Sequence, residues 1–385
     1  MIYSPKALLS HVLKKKWLII AILIAIYLYS YRSTIFDQTN NSQSVPLILL
    51  FTRNYSMKTR ANICQGTRNG GYVVNFHSCP VKCEFSCRID DFKQRSPHAV
   101  LFFGEDFAWP FQITNRNRTS FDQRWIFWSW EAPIHHPEYT RSGLIFNWTM
   151  TYRQDSDIVH SYGWYIARNM SYTIHDMQAI DFYLSPNDNQ SIYNIENEFQ
   201  QRKNKTLWFV SNCHARSQRY NIAQNLSKYF PTDQYGQCLK KNEYLSKDEF
   251  HKTLFRYKFY LAFENAHCQD YITEKAFFNA LTHGSIPIVL GPEKKNYQQI
   301  LPPNSFIHID DFQNVAELAN ELILISENLQ RFAFYHQWRQ DYRLITWPSN
   351  YFIDDLFCNL CQKLYEDTEP KTYSNFSQWL NKCKQ

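Results

Sequence analysis

The chain has 385 residues, of which 44% are hydrophobic and 20% are charged, and its formal net charge is +6. The hydrophobic share excludes a largely disordered chain, and the length exceeds one typical core, so two domains are expected. The mild positive charge suits an anionic substrate, whereas the lack of an RNA-binding motif argues against a nucleic-acid partner.

The first predicted element is an apolar run from Trp17 to Tyr29. About 20 residues cross an average bilayer, so the run is short for a span. Three lysines precede it, aromatic residues flank it, and no small-residue cleavage site follows it. We therefore predict a cytosolic tail at 1–16, a transmembrane signal anchor at 17–31 and a polar stem at 32–44. The alternative interpretation is a buried core helix.

The positive charge before the anchor places the rest of the chain in the lumen of the secretory pathway. Asn-x-Ser/Thr sequons, the acceptors of N-glycans, support this placement, although an Asn-rich chain would produce several by chance. The nine sequons begin at Asn40, Asn54, Asn117, Asn147, Asn169, Asn189, Asn204, Asn225 and Asn375.

Ten cysteines in an oxidising compartment predict disulfides. We expect some bridges to tie Cys358, Cys361 and Cys383 to the body of the protein. The alternative is a zinc site built from Cys358 and Cys361 together with the cysteines at 79, 83 and 87. No paired histidine accompanies this spacing, so disulfides are favoured.

Strand patterns in the first half predict an α/β domain at 45–180. The predicted strands are 45–51, 99–103 and 124–130. A polar segment at 181–205, dominated by Asn, Asp, Gln and Glu, is the predicted inter-domain linker.

Alternating strand and helix patterns predict a second α/β domain at 206–350 with a parallel sheet. Strands are expected at 208–212, 260–263, 286–290 and 306–309, and helical faces at 222–230 and 315–325. Residues 351–385 form a predicted C-terminal tail tied to the body by disulfides.

The segment from Lys258 to Pro292 predicts a strand, a polar loop, a helix and a second strand. Asp270 and Thr273 suit the start of the helix, and Gly284 suits its end. In a βαβ unit the loop lies at the carboxyl end of the sheet, where the next helix presents free N–H groups. The polar residues that collect there suit a phosphate joined to a hydroxyl-rich group, and they are Glu264, Asn265, Tyr271, Glu274 and Lys275.

The same segment resembles the donor-binding signature of the α1,3-fucosyltransferases, glycosyltransferase family 10. The family pattern is Phe-Glu-Asn, a short gap, Asp-Tyr-(Val/Ile)-Thr-Glu-Lys, a helix ending in Gly, a (Val/Ile)-Pro-(Val/Ile) strand and Gly-Pro. It is complete between Phe263 and Pro292, and weaker resemblance extends from 97 to 383. The resemblance implies a GT-B fold, in which two Rossmann-like domains face a cleft. Residues 45–180 would then face the acceptor, and residues 206–350 would bind GDP-fucose.

Glycosyl transfer requires that the diphosphate leaving group be stabilised. Arg219 and Lys275 are the candidates, because both side chains recognise phosphate. Arg219 lies in a segment that resembles the family's Ser-Asn-Cys…Arg element. Arg216 is an alternative, and either arginine could instead be a solvated residue at a helix start.

Sugar and nucleotide hydroxyls are expected to contact Glu274, Asn265 and Tyr271, since carboxylate and amide oxygens accept hydrogen bonds from hydroxyls. Glu274 could also steady positive charge on the sugar, or it could merely favour the helix start. Asp157 and Tyr162 are predicted to add further donor contacts.

Glu131 is the predicted catalytic base. It follows a predicted strand in a segment that resembles the family's Trp…Glu-Ser-Pro element, whose glutamate is taken as the base. Ala132 replaces the usual serine, which puts one neighbouring hydrogen bond in doubt. An ordinary exposed loop glutamate is the alternative, and His135 or His136 could serve as the base instead.

Asp155-Ser-Asp157 matches a DxD motif, which chelates a metal diphosphate in other glycosyltransferase folds. Here it lies in a segment that resembles a family element of a fold that needs no metal for the chemical step. We therefore predict no essential cofactor and no metal ligand, with stimulation by a divalent cation such as Mn left open.

These patterns predict a Golgi enzyme, a single-pass type II membrane protein with a luminal catalytic domain. It would transfer L-fucose from GDP-β-L-fucose, with inversion, to the 3-hydroxyl of GlcNAc in a glycan acceptor of terminal lactosamine type. Core α1,3-fucosylation of the N-glycan chitobiose is one alternative. A non-catalytic glycan-binding relative is another, and it is disfavoured because the expected charged residues are all present.

Overall fold

The structure is a computed structural model that describes residues 45–52, 72–74, 79–104, 113–120, 122–140, 143–169, 194–215, 217–238, 245–346 and 350–384. The predicted tail, anchor and stem lie outside the described residues. In the described part of the chain, no helix has the length and apolarity needed to span a membrane. The chain from Pro46 onward forms one compact unit.

Strands form three sheets among the described residues. In chain order they are β1 Leu47–Phe51, β2 Tyr72–Val74, β3 Cys83–Ser86, β4 Ala99–Phe103, β5 Arg124–Ser129, β6 Trp148–Thr151, β7 Ile158–Val159, β8 Gly163–Ala167, β9 Lys203–Phe209, β10 Thr232–Tyr235, β11 Tyr257–Phe263, β12 Ile286–Leu290, β13 Ile307–His308 and β14 Tyr342–Thr346.

The first sheet has the order β2-β3-β1-β4-β5-β6-β7 and is parallel except where β2 meets β3. The second has the order β10-β9-β11-β12-β13 and is parallel throughout. Strands β8 and β14 form a separate antiparallel pair. The predicted α/β fold with parallel sheets is therefore confirmed.

Helices connect and cover these strands. They are Asp91–Gln94, Ile195–Gln201, Arg219–Leu226, Lys247–Leu254, Lys275–Thr282, Lys294–Ile300, Val315–Glu327, Leu329–Phe334, Trp338–Asp341, Asn350–Glu366 and Phe376–Leu380. Short 3-10 segments lie at Asn115–Asn117, Pro133–His135, Pro137–Thr140 and Ile309–Asp311.

Both faces of the first sheet are covered, which explains why its central strands are continuous apolar runs. Every residue of β1, β4 and β5 is buried. On one face, Phe357 and Leu360 of the helix Asn350–Glu366 join the core. On the other face, Phe376 and Leu380 pack against the sheet. The predicted C-terminal tail is thus an integral part of the first sheet's core.

Regular structure begins earlier than the predicted linker boundary. The helix Ile195–Gln201 and the start of β9 at Lys203 fall inside the segment predicted as a linker, 181–205. The polar start of β9 is exposed or half-buried, so its composition resembles that of a loop. Residues 181–193 lie outside the described residues.

Disulfides tie the C-terminal segment to the body, as predicted. The bridges are Cys79–Cys358, Cys83–Cys361, Cys213–Cys238 and Cys268–Cys383. Cys87 is also disulfide-bonded. These bonds use the sulfurs that the alternative zinc site would need. Within the ranges that the structure covers, no group of three or more His, Cys, Asp or Glu residues is arranged to hold a metal.

Candidate active site

The carboxylate of Glu264 organises the end of β11 and is wholly buried. It accepts hydrogen bonds from the backbone N–H of Thr273 at 2.8 Å and from the Thr273 hydroxyl at 2.9 Å. Lys275 Nζ forms an ion pair with Glu264 Oε2 at 3.1 Å. A carboxylate directly after the strand therefore satisfies a free N–H at the helix start, where negative charge is favoured.

Lys275 lies between two carboxylates at the start of the helix. Its Nζ is 3.1 Å from Glu264 Oε2 and 3.1 Å from Glu274 Oε1. Burial alone would lower the pKa of Lys275, but the two carboxylates outweigh burial and raise it. The side chain of Glu274 is 33% exposed, so the Lys275–Glu274 contact is the one that an incoming anion can reach.

The helix that follows is a π-helix rather than the predicted α-helix. Its i→i+5 bonds run from Asn279 N to Glu274 O at 2.7 Å and from Ser285 N to Ala280 O at 3.0 Å. Residues Ala276 to Thr282 are all buried. Of the predicted helix-start residues, Thr273 accepts from Lys275 N at 3.5 Å through its hydroxyl oxygen and also donates to Glu264. Asp270 instead accepts from Asn296 at 2.6 Å.

Arg219 is buried beside the end of β11, at the first residue of its helix. Its guanidinium donates to Phe263 O at 2.8 Å and to Asn212 O at 3.1 Å, while its Nε is buried without a partner in the described structure. Burial lowers the pKa of Arg219, and the charge of Glu264 opposes that shift. The alternative, Arg216, lies outside the described residues.

Glu131 follows β5 and meets the donor signature through Tyr271. The Tyr271 hydroxyl donates to Glu131 Oε2 at 3.0 Å. Tyr271 is 2% exposed, and burial raises its pKa well above the usual value, so the phenol keeps its proton. Glu131 itself is partly exposed. The bond thus connects the predicted base with the segment predicted to bind the donor.

An apolar cluster surrounds this contact. Ala132 is wholly buried and packs with Tyr152 and Tyr271. A serine at this position would have to bury its hydroxyl there. Tyr162 donates to Trp130 O at 3.1 Å, and its ring lies 6.5 Å from that of Tyr271. The structure therefore brings Tyr162 to the predicted site.

Asp157 has contacts of a different kind. It accepts from Thr149 N at 2.9 Å and from the Tyr373 hydroxyl at 2.7 Å, and it pairs with Lys371. These bonds attach β6 to the C-terminal segment. They place the carboxylate in a structural network, and the predicted donor contact of Asp157 gains no support from them.

Asp155, the other carboxylate of the DxD motif, is bonded to Arg153. Arg153 Nε donates to it at 2.8 Å, and the same guanidinium bonds to Trp379 O and stacks 4.3 Å from the Trp379 ring. Both carboxylates of the motif are therefore paired with basic side chains.

The C-terminal residues are bonded to the loop between Asn265 and Tyr271. Gln269 N donates to Lys382 O and Lys384 N donates to His267 O, each at 2.8 Å. The Cys268–Cys383 disulfide joins the same two segments. A bridge from the tail was predicted, and in the structure it ends inside the loop between Asn265 and Tyr271.

The structure thus groups Glu131, Tyr271 and Tyr162 at one point, and Glu264, Glu274 and Lys275 at the neighbouring helix start. Glu264 was predicted to lie in this group, directly after a buried strand, but its bonds to Thr273 and Lys275 were not foreseen. No contact assigns donor binding to these residues, so their predicted roles remain predictions.

Two family models match the chain. The model described as "Glycosyltransferase family 10 (fucosyltransferase) C-term" matches residues 199–379, and "Fucosyltransferase, N-terminal" matches residues 43–163. Both halves of the described structure are therefore covered by models of one family.

Curated relatives carry fucosyltransferase names. The "4-galactosyl-N-acetylglucosaminide 3-alpha-L-fucosyltransferase FUT6" of Gorilla gorilla gorilla is 32% identical over 86% of this chain and 82% of its own length. The "4-galactosyl-N-acetylglucosaminide 3-alpha-L-fucosyltransferase 9" of Bos taurus is 32% identical over 74% of this chain and 71% of its own.

Solved structures agree on the fold. A crystal structure of an α1,3-fucosyltransferase has a TM-score of 0.51 at 16% identity, covering 85% of this chain and 92% of that one. A structure of an α1,3-fucosyltransferase with GDP-fucose has a TM-score of 0.50 at 15% identity, covering 86% and 94%. At such identities the likeness shows the fold.

Fold and sequence together define a nucleotide-sugar glycosyltransferase. The chain belongs to glycosyltransferase family 10, the fucosyltransferases.

Proposed function

We propose that the chain transfers L-fucose from GDP-β-L-fucose, with inversion, to the 3-hydroxyl of GlcNAc in a terminal lactosamine of a glycoprotein or glycolipid. Family membership supports the reaction, and the names of the relatives, which specify 4-galactosyl-N-acetylglucosaminide acceptors, support the acceptor. The observation that carries the proposal is the 3.0 Å bond between Tyr271 and Glu131, because it sets a carboxylate at the donor signature.

In this mechanism Glu131 takes the proton of the acceptor hydroxyl as its oxygen attacks the anomeric carbon of fucose. The bond from that carbon to the diphosphate breaks on the opposite side, so the β-linked donor gives an α-L-fucoside. Arg219 and Lys275 receive the charge that develops on GDP, since electrostatic stabilisation of a leaving group is a large term in such reactions. Lys275 would exchange its contact with Glu274 for a phosphate oxygen.

Asn265 and Glu274 are proposed to hold the sugar, and Tyr271 to orient Glu131. We propose that no metal is essential, because Asp155 and Asp157 are already bonded to Arg153 and Lys371. Transfer measured in EDTA and with added Mn²⁺ tests this point. Activity that requires Mn²⁺ would contradict it.

We further propose a Golgi enzyme with a type II anchor at 17–31 and the catalytic body in the lumen, arranged as the two facing domains of a GT-B enzyme. The disulfides support an oxidising compartment. The anchor rests on the apolar run and its flanking charges.

The test is fucose transfer by the secreted fragment from residue 32 onward, supplied with GDP-fucose and either a terminal lactosamine or a core N-glycan acceptor. Product mass and linkage analysis should show 3-linked fucose on lactosamine. Product on the core acceptor alone would change the acceptor to chitobiose. Binding of GDP-fucose without any product on either acceptor would contradict the proposed reaction.

A further inference from the structure

The indole N–H groups of Trp128 and Trp130 both meet one buried histidine, His160. Trp128 Nε1 donates to His160 Nδ1 at 3.0 Å, and Trp130 Nε1 donates to the same ring. Trp128 lies on β5, and Trp130 is the residue directly before Glu131. His160 follows β7, and its backbone N–H is bonded to Thr151 O, at the end of β6, at 2.7 Å. A histidine from another part of the sheet therefore holds the residue next to the predicted base.

His160 has to accept both of these hydrogen bonds, because an indole nitrogen can only donate. A histidine ring accepts only while one of its nitrogens carries no proton. His160 is 1% exposed, and burial lowers its pKa well below the usual value, so the ring is neutral at neutral pH. The ring of Trp130 meets that of His160 edge to face, with 4.4 Å between the ring centroids. His160 is thus a fixed acceptor for the two indoles.

The peptide bond between Trp130 and Glu131 is held at both of its polar atoms. Tyr162, two residues beyond His160, donates its hydroxyl hydrogen to Trp130 O at 3.1 Å. Glu131 N donates to Ser129 Oγ at 3.2 Å. Together with the bond from the Trp130 indole to His160, these contacts fix the backbone and the side chain that come immediately before the predicted base.

We propose that His160 is a positioning residue for the Glu131 carboxylate and that it acts through Trp130. The carboxylate itself accepts from the Tyr271 hydroxyl at 3.0 Å, so its position depends on Tyr271 and on the residues directly before Glu131. The inference rests on the proposed function, since it takes Glu131 to be the base of the transfer reaction. A shift of about 1 Å in a reacting group can cost roughly 100-fold in rate, so a buried residue that acts on a neighbour of the base can control the chemical step.

The test removes the bond from either side, in the variants His160→Phe and Trp130→Phe of the fragment from residue 32 onward. Both should lower kcat, counted per GDP-binding site, roughly 10- to 100-fold and leave the KM values for GDP-fucose and for the acceptor near those of the wild type. His160→Asn, whose amide oxygen can accept in place of Nδ1, should recover most of the lost kcat. Trp130→Phe keeps an aromatic ring at its position, so it tests the bond even if His160→Phe does not fold.

Trp148→Phe is the matched control. Trp148 is wholly buried on β6, and its Nε1 has no hydrogen-bond partner in the part of the chain that the structure describes. This substitution removes an indole N–H from the same sheet without removing a hydrogen bond, so kcat should stay near the wild-type value. The double variant His160→Phe with Trp130→Phe should be no slower than His160→Phe alone, because the bond to Trp130 is already absent there.

Wild-type kcat in Trp130→Phe would overturn the proposal, as would an equal loss in Trp148→Phe, no recovery in His160→Asn, or a loss confined to the KM of one substrate. Crystal structures of the wild type and of Trp130→Phe test the positioning without turnover. The distance from the Tyr271 hydroxyl to Glu131 Oε2, 3.0 Å in the structure, should lengthen in the variant, and an unchanged distance would contradict the proposal. Absence of transfer by the wild type would contradict the proposed function, and the crystallographic comparison would still decide whether His160 and Trp130 position the carboxylate.

Discussion

The phenol of Tyr271 donates a hydrogen bond to the carboxylate of Glu131 across 3.0 Å and 140 residues of sequence. Tyr271 belongs to the donor signature, and Glu131 follows a strand of the first sheet. The tyrosine ring is fixed by burial and by Tyr152, whose ring centre is 4.9 Å away. Tyr271 therefore helps to orient the carboxylate of the predicted base, and changes on either side of the bond should affect the chemical step.

Removing the base should abolish turnover without removing the donor. We expect Glu131→Gln to lower kcat about 100- to 10,000-fold, the range for a positioned general base, while GDP binding stays nearly intact. Steady-state transfer assays measure kcat, and calorimetry with GDP measures the binding. Glu138→Gln is the control, because Glu138 lies on the same segment and contacts His136. Unchanged activity in Glu131→Gln would disprove the assignment of the base.

Removing the Tyr271 hydroxyl distinguishes orientation of the base from donor binding. We expect Tyr271→Phe to lower kcat about 10-fold, in proportion to one hydrogen bond to a charged group, and to leave the KM for GDP-fucose unchanged. Tyr257→Phe is the control, since its hydroxyl also donates to a carboxylate, Asp233 at 2.6 Å, outside the site. A higher KM for GDP-fucose with normal kcat would instead favour the donor contact predicted from the sequence.

The sequence predicts elements best where burial is complete. Strands β4 and β12 were predicted with the observed bounds because each is a continuous apolar run between turn residues. The π-helix Lys275–Thr282 was predicted as an α-helix, because a segment buried on every side has no polar face to reveal its period. Strand β9 was placed too late because its first residues, from Lys203, are polar.

Contacts between distant segments could not be predicted from the sequence. The polar residues from Glu264 to Lys275 were predicted as a group because they lie close together in the chain. The bond from Tyr271 to Glu131 and the insertion of Phe357 into the first core depend on tertiary packing. The bonds from Asp157, a predicted donor contact, to Lys371 and Tyr373 are further contacts of this kind.

The Cys268–Cys383 bridge should matter for donor binding as well as for stability. It closes on the loop between Asn265 and Tyr271, so the double variant Cys268→Ser with Cys383→Ser should free that loop. We expect a several-fold higher KM for GDP-fucose, together with a stability loss of about 2–5 kcal/mol. Donor-dependent kinetics and thermal melting measure these changes.

The control for the bridge is the paired serine variant of Cys79 and Cys358, a disulfide outside the site. It should lose stability while its donor KM stays normal. An equal rise of KM in both variants would show that the loop effect is only a consequence of general destabilisation.

Buried His336 should make the protein sensitive to acid. Burial and the nearby charge of Arg202 lower the pKa of His336 to about 3, whereas the unfolded chain takes up the proton near pH 6.5. Between these values the unfolded state binds more protons, so the free energy of unfolding falls as the pH drops, by up to about 1.4 kcal/mol per pH unit. His336→Phe should reduce this slope, as measured by denaturant unfolding between pH 6 and pH 4. Parallel slopes, after matching the two proteins at pH 8, would contradict the prediction.

The sequon asparagines Asn147 and Asn225 differ in solvent exposure. Asn147 is 3% exposed, its Oδ1 accepts from Trp125 N at 2.8 Å, and its Nδ2, the atom that would carry a glycan, donates to Lys371 O at 2.9 Å. Asn225 is exposed on its helix, and its Oδ1 accepts from Lys228 Nζ at 2.9 Å. If the body is luminal, we expect a glycan on Asn225 and none on Asn147 in the folded, secreted fragment.

Peptide mass spectrometry after enzymatic deglycosylation in heavy-oxygen water measures the occupancy of each sequon. Asn225→Gln should remove the mass of one glycan and leave the melting temperature unchanged, because the side chain is exposed. Asn147→Gln should leave the glycan mass unchanged and lower the melting temperature, because it breaks two buried bonds. A glycan on Asn147 in active enzyme would contradict the structure at this point. Fully unoccupied sequons would contradict the proposed luminal location, since a chain that enters the lumen with an exposed acceptor such as Asn225 meets the glycosylation machinery.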